Sequence, residues 1–133
     1  QENNWGFYNV SLKKWIFNAD RPIYQQITQQ IEFALLSGEY KTGERLPSVR
    51  DLAAQAGVNP NTMQRALQDL ELSGYITTQR TAGRTITEDT QMIENLRQSV
   101  AYKQAKDFLE QMRQLGYKKS DIIDLLEKAA EEK

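Results

Sequence analysis

The segment Asn59-Pro60-Asn61-Thr62-Met63-Gln64-Arg65 gathers side chains suited to recognising a polar ligand. Asn, Gln and Arg form paired hydrogen bonds with the edges of adenine or guanine. No acid enters this stretch, and the first carboxylates beyond it are Asp69 and Glu71. Such an asymmetry suits a helix whose beginning lies against a polyanion while its far end leaves it. An ordinary solvated helix face would use the same residue types, so this segment alone leaves both readings open.

Three further features bear on the choice. Arg50 lies near the start of a preceding short helix, where a cation is poorly placed for the helix dipole but can reach a phosphate. Its plainer use is a surface ion pair, worth little energetically. Arg80 and Arg84 bracket Thr81-Ala82-Gly83, small residues that let a backbone approach a sugar-phosphate ridge. A turn using basic residues for solubility would look alike. Lastly, two exposed helix beginnings, one at Ser48 and one at Asn59, can donate backbone N–H groups to phosphate. Together these describe one surface and favour DNA. The candidate contact set is Ser48, Arg50, Asn59, Asn61, Thr62, Gln64, Arg65, Arg80, Thr81, Gly83 and Arg84.

Composition narrows the alternatives. The 133 residues include no Cys and no His, which removes thiol and imidazole nucleophiles and every zinc site built from those ligands. No paired acids or glycine-rich phosphate loop stand in a plausible site, so an enzyme is a poor reading and no cofactor is expected. The lack of disulfides fits a reducing compartment. Hydrophobic residues make up 39% and charged residues 26%, enough apolar material for a packed core. The longest apolar run, Phe33 to Leu36, is far short of the ~20 residues that cross a bilayer. No basic segment followed by an apolar stretch marks a signal peptide. A soluble, cytoplasmic protein without a membrane partner is expected.

The net charge of −1 counts mildly against a nucleic-acid binder. Its distribution is more informative. Residues 41 to 87 carry six cations against four acids, and residues 88 to 133 carry eight against ten. The middle is mildly basic and the tail mildly acidic.

The elements that must position these residues follow from capping and periodicity. Residues 1 to 14 start with Gln, are rich in Asn and aromatics, and are set aside as an appended or disordered segment. Asn9-Val10-Ser11 within them matches a glycosylation triplet of a kind that arises often by chance. A helix is predicted from about Pro22 to Ser37, capped by Asp20, with Ile23, Ile27, Ile31, Ala34 and Leu35 as its buried stripe. Residues 39 to 47 form a connector. A short helix follows, with Ser48 as cap and Asp51 completing a capping-box pattern; Val49, Leu52, Ala53 and Ala56 face inward. Gly57-Val58-Asn59 separates it from a third helix opened by Asn59-Pro60, whose buried face is Met63, Ala66, Leu67 and Leu70. This reads as a helix-turn-helix. Tyr75 to Gln79 and Thr85 to Thr87 then read as a hairpin with a basic tip, the winged form of the motif.

Two helices complete the chain. The longer is predicted from Thr90 to Leu115, and the shorter from Asp121 to Glu131 with Ser120 as cap. Leu96, Val100, Ala101, Ala105, Phe108, Leu109, Met112 and Leu115 on the first, and Ile122, Ile123 and Leu126 on the second, supply more apolar surface than one chain can cover. Stacking on a second copy would cover it, while folding back on the winged domain is the simpler alternative. The expected fold is mainly α with a small β-hairpin wing. A winged helix-turn-helix DNA-binding domain over residues 15–87 precedes a helical dimerisation hairpin over residues 88–133. A single hairpin does not readily enclose the ~300 Å³ typical of ligand sites, so any effector would sit between subunits or near residues 88–90.

Residues 38–86 resemble the winged helix-turn-helix of the GntR family of bacterial transcription regulators. The resemblance rests on Gly38-Glu39-Tyr40-Lys41-Thr42-Gly43-Glu44-Arg45-Leu46-Pro47-Ser48-Val49-Arg50-Asp51-Leu52-Ala53 and on Gly57-Val58-Asn59-Pro60-Asn61-Thr62. Ala66-Leu67, Leu70-Glu71 and Gly74-Tyr75-Ile76 continue it. Pro22-Ile23-Tyr24-Gln25-Gln26-Ile27 is similar to the family's first helix. The short C-terminal helices, with Asn59-Pro60-Asn61-Thr62, resemble the YtrA-type subfamily. The resemblance implies a homodimeric, repressor-type regulator on a palindromic double-stranded operator, with Arg50, Asn59, Asn61, Thr62, Gln64 and Gly83 at the family's DNA-contact positions. Control of neighbouring transporter genes is the subfamily's further implication. Pro60 departs from the pattern, because it cannot serve as a hydrogen-bonding reader, and Thr81-Ala82-Gly83 stands where Gly-x-Gly is usual. The alternative is a winged-helix module that binds another protein.

Overall fold

A computed structural model describes residues 15–81 and 83–132. The set-aside residues 1 to 14, with their Asn9 triplet, lie outside the described residues, as do Ala82 and Lys133. The element order is α1 (Ile23–Ser37), α2 (Val49–Ala56), α3 (Pro60–Ser73), β1 (Ile76–Gln79), β2 (Gly83–Ile86), α4 (Thr90–Gln114) and α5 (Lys119–Glu131). This is the expected class: mainly helical, with a small antiparallel wing and a C-terminal helix pair. The chain divides after Glu94 into two units.

In the first unit, Ile27, Ile31, Ala34 and Leu35 recur at helical spacing along α1 and are buried. They meet Leu52 and Ala53 of α2, Met63, Ala66, Leu67 and Leu70 of α3, and Ile76 and Ile86 of the wing. Full burial of each large aliphatic here is worth roughly 1.5–3 kcal/mol. α3 packs on α1, α2 and β1, so the helix bearing the candidate readers is fixed on three sides. The turn between α2 and α3 needs a left-handed residue, and Gly57 supplies it at φ 71°.

The start of α1 departs from expectation. Asp20 does not cap it. Pro22 is the N-cap residue, no side chain caps the helix, and Asp20 instead lies 3.8 Å from Arg21. The reason is in the buried glutamines. Gln26 Nε2 donates to the carbonyls of Asn18 (2.8 Å) and Arg21 (2.9 Å), while its Oε1 accepts the Asn18 N–H. Gln30 grips Ile16 in the same way, through its carbonyl at 2.6 Å and its N–H at 3.4 Å. The two amides replace a strand partner for residues 16–21 and draw Trp15 and Phe17, stacked 6.0 Å apart, against the core.

The hairpin pairs Ile76 with Ile86, Thr77 with Thr85, Thr78 with Arg84 and Gln79 with Gly83. Its second strand begins earlier than predicted, taking in Gly83 and Arg84, because part of the connector pairs along its other edge. The Leu46 N–H donates to the Arg84 carbonyl (2.9 Å), the Ile86 N–H to Glu44 (2.8 Å) and the Gly43 N–H to Ile86 (2.9 Å). Arg45 bridges to Thr85 in antiparallel sense. The connector thus lends a third edge to the wing.

Beyond Glu94, α4 ends at Gln114, just short of the predicted Leu115. α5 begins at Lys119 with Lys118 as its N-cap residue, so Ser120 is inside the helix instead of capping it. Asp121, at the third helical position, accepts the Lys118 N–H at 3.2 Å and complements the positive helix end. Ile122 is buried, whereas Leu115 and Ile123 keep 71% and 44% of their surface exposed. Leu96, Val100, Phe108, Leu109 and Met112 are half-buried, and Ala101 and Ala105 are exposed.

Candidate nucleic-acid interface

The start of α3 is held by its own sequence. Asn59 takes an extended conformation and its Oδ1 accepts the Asn61 N–H at 2.7 Å. Pro60 fills the first helical position, where a missing N–H is harmless. The Asn59 oxygen is therefore engaged in capping, and its amide NH2 is available to another partner. Asn61 and Arg65 stand exposed, while Thr62 and Gln64 are half-buried between them and the core face.

α2 presents its beginning in the same manner. Ser48 Oγ accepts the Asp51 N–H at 3.1 Å, and Arg50 projects from the first turn, exposed. Asp51, also exposed, occupies the third position of α2, where a carboxylate suits the helix dipole. The connector and α2 line an open cleft of about 470 Å³ bounded by Tyr40, Glu44, Arg45, Leu46, Pro47, Ser48 and Asp51. Burial, with Glu39 and Glu44 nearby, pushes the Tyr40 hydroxyl up to about 12, so it stays protonated at neutral pH.

The arginines fall into two groups. Among the described residues, Arg50 and Arg80 are exposed and form no ion pair. Arg65, though exposed, and Arg84 are each engaged by another side chain of the fold. The Arg65 guanidinium lies 3.7 Å from the centre of the Tyr24 ring on α1, a contact worth about 0.5–1 kcal/mol at an exposed site. Arg84 Nε and Nη2 both reach Oε1 of Glu71 at 3.3 Å. Thr81 is exposed at the turn, and Gly83 takes φ 74°, a conformation that favours glycine whatever the space around it.

One cation escaped the sequence reading. Arg45 is exposed, forms no ion pair among the described residues, and flanks the wing: its Nε would stand 3.8 Å from a Cβ added at Gly83. A charged connector punctuated by Gly43 and Pro47 carries no apolar alternation, so the strand pairing that aims Arg45 has no local signal. Tyr24 and Glu71, partners of Arg65 and Arg84, were likewise missed, because each lies on a different element from the arginine it holds.

Residues 23–86 match the model of the bacterial regulatory proteins of the gntR family. The chain is 36% identical over 108 residues to the HTH-type transcriptional regulator YhcF of Bacillus subtilis (strain 168), covering 81% of this chain and 89% of that protein. Over 71 residues it is 45% identical to the HTH-type transcriptional repressor YtrA of the same organism, covering 53% of this chain and 55% of that protein. A solved GntR family transcriptional regulator from Listeria monocytogenes superposes with a TM-score of 0.78 at 39% identity, over 84% of this chain and 98% of that one. Among the described residues, no helix is long and apolar enough to cross a membrane. With its winged helix-turn-helix and a relative matched at this identity over most of its length, the chain belongs to the GntR family of bacterial regulatory proteins, which are transcription regulators and not enzymes.

Proposed function

We propose that the protein is a sequence-specific, DNA-binding repressor of the bacterial cytoplasm that acts as a homodimer on a palindromic operator. The observation that carries this reading is the start of α3, where Asn61, Thr62, Gln64 and Arg65 line an acid-free helix beginning fixed against the core. Asn61 and Gln64 have the chemistry to read base edges, and Arg50 and Arg80 to grip phosphates on either side. Ser48, Asn59, Thr81 and Gly83 place backbone and small side chains close to the sugar-phosphate ridge. The repressor sense and the YtrA-type assignment draw on the likeness to the Bacillus subtilis repressor YtrA, which covers only part of both chains.

Dimerisation is proposed for residues 88–133, supported by the apolar side chains that α4 and α5 leave at the surface. Two copies would hold their α3 helices about 34–36 Å apart, or a multiple of it, and read two half-sites related by two-fold symmetry. Selecting bound fragments from random double-stranded DNA tests the whole reading. Enrichment of an inverted repeat is the expected result. Recovery of no preferred sequence, with binding that ignores salt, points instead to a protein-binding winged helix.

A further inference from the structure

The wing has one cation at its tip and one turned away from it. Arg80 is exposed and unpaired by any carboxylate among the described residues. Arg84 points its fork at Glu71, in the last turns of α3, with both Nε and Nη2 at 3.3 Å from one carboxylate oxygen. The two side chains keep only 20% and 26% of their surface, so solvent competes little for the pair. The Arg84 main chain is held as well: its carbonyl accepts the Leu46 N–H at 2.9 Å, and the residue stands opposite Thr78 in β1. One residue thereby joins the connector edge, the hairpin and the helix that carries the candidate readers. A carboxylate against the guanidinium also cancels the charge a phosphate would seek. Arg45, on the neighbouring edge beside Gly83, meets no carboxylate partner among the described residues.

We propose that Arg84 is a positioning residue, held by Glu71 so that the wing keeps a fixed attitude to α3, and that Arg45 with Arg80 supplies the wing's contacts to the DNA backbone. The proposal rests on the DNA-binding reading above. Its test uses the full chain and a selected operator, with affinity followed over about 50–200 mM salt. Arg45→Ala and Arg80→Ala should each reduce the magnitude of the log–log salt slope by about 0.9, the signature of one lost phosphate contact. Arg84→Ala should weaken binding with the slope unchanged. Arg84→Glu should weaken it by roughly tenfold or more through like-charge contact with Glu71, and adding Glu71→Arg to it should restore most of the loss. A slope that falls in Arg84→Ala as it does in Arg80→Ala overturns the proposal, as does a charge swap no better than Arg84→Glu. A second readout needs no DNA. The Leu46 and Ile86 amides, which bond along β2, should exchange hydrogen several-fold faster in Arg84→Ala and at the native rate in the swap. Unchanged exchange in Arg84→Ala also overturns it. Failure of the DNA reading looks different, because the unaltered chain would then show no salt-sensitive binding while these exchange rates still report on the pair.

Discussion

Leu67 in α3 and Leu126 in α5 are the same residue on helices of nearly equal length, yet Leu67 is fully buried and Leu126 keeps 48% of its surface. The contrast holds for their surroundings. The first unit closes its core with Ile27, Ile31, Leu52, Met63, Leu70, Ile76 and Ile86, and leaves polar side chains on the face of α3. The C-terminal helices bury Ile122 but leave Leu115, Ile123 and Leu126 at the surface. The first unit closes a core within the chain, with Ile16 and Leu72 its large apolar side chains left at the surface. The other carries apolar surface that a second copy would cover, which is the basis of the proposed dimer.

Breaking that second surface should have the largest effect. Leu126→Asp is expected to give particles near the single-chain mass of 15.4 kDa in solution, with operator affinity lower by about 10²–10⁴ as the two half-sites lose their linkage. A variant still at twice this value would take Leu126 out of the interface, and an unaltered chain at the single-chain mass would remove the dimer. Leu67→Ala should next lower folding stability by about 2–5 kcal/mol, while Leu126→Ala at low protein concentration changes it by no more than about 0.5 kcal/mol. Denaturant titration of both variants checks this, and equal losses would erase the distinction between the units. Asn61→Ala and Gln64→Ala should each cost about 1–3 kcal/mol at particular base pairs, whereas Arg50→Ala weakens all sequences alike. Competition binding against single-base variants of the operator separates the two behaviours. The smallest effect is expected at high pH. Tyr40 holds its proton more tightly when folded than unfolded, so its contribution is complete below about pH 10 and is lost as pH rises toward about 12. Tyr40→Phe should show a shallower decline in stability over that window.

Much of the first unit was legible because its helix ends are written locally. Ser48 and Asn59-Pro60 mark two beginnings, Gly57 and Gly74 mark two ends, and the apolar spacing between them needs no knowledge of the rest of the fold. What escaped depended on distant partners. Asp20 had the right type for a cap, but Gln26 and Gln30 engage the main chain around it. Arg84 looked like a tip cation until the connector edge extended β2 and Glu71 came within reach. Ser120 was displaced as a cap because the helix starts earlier, with Lys118 as N-cap residue and Asp121 accepting its N–H. On the candidate interface, Asn61, Gln64 and Arg50 stood out by residue type and position, whereas Arg45 became visible only beside Gly83.

The central claim is that the beginning of α3, with the start of α2 and the wing, is the face that meets DNA. Titrating a selected operator into the isotopically labelled chain and following each backbone amide by NMR tests it directly. The largest shifts are expected at residues 48–50, 59, 61–65 and 80–83. Shifts confined to residues 115–131, or none at saturating operator, would contradict it.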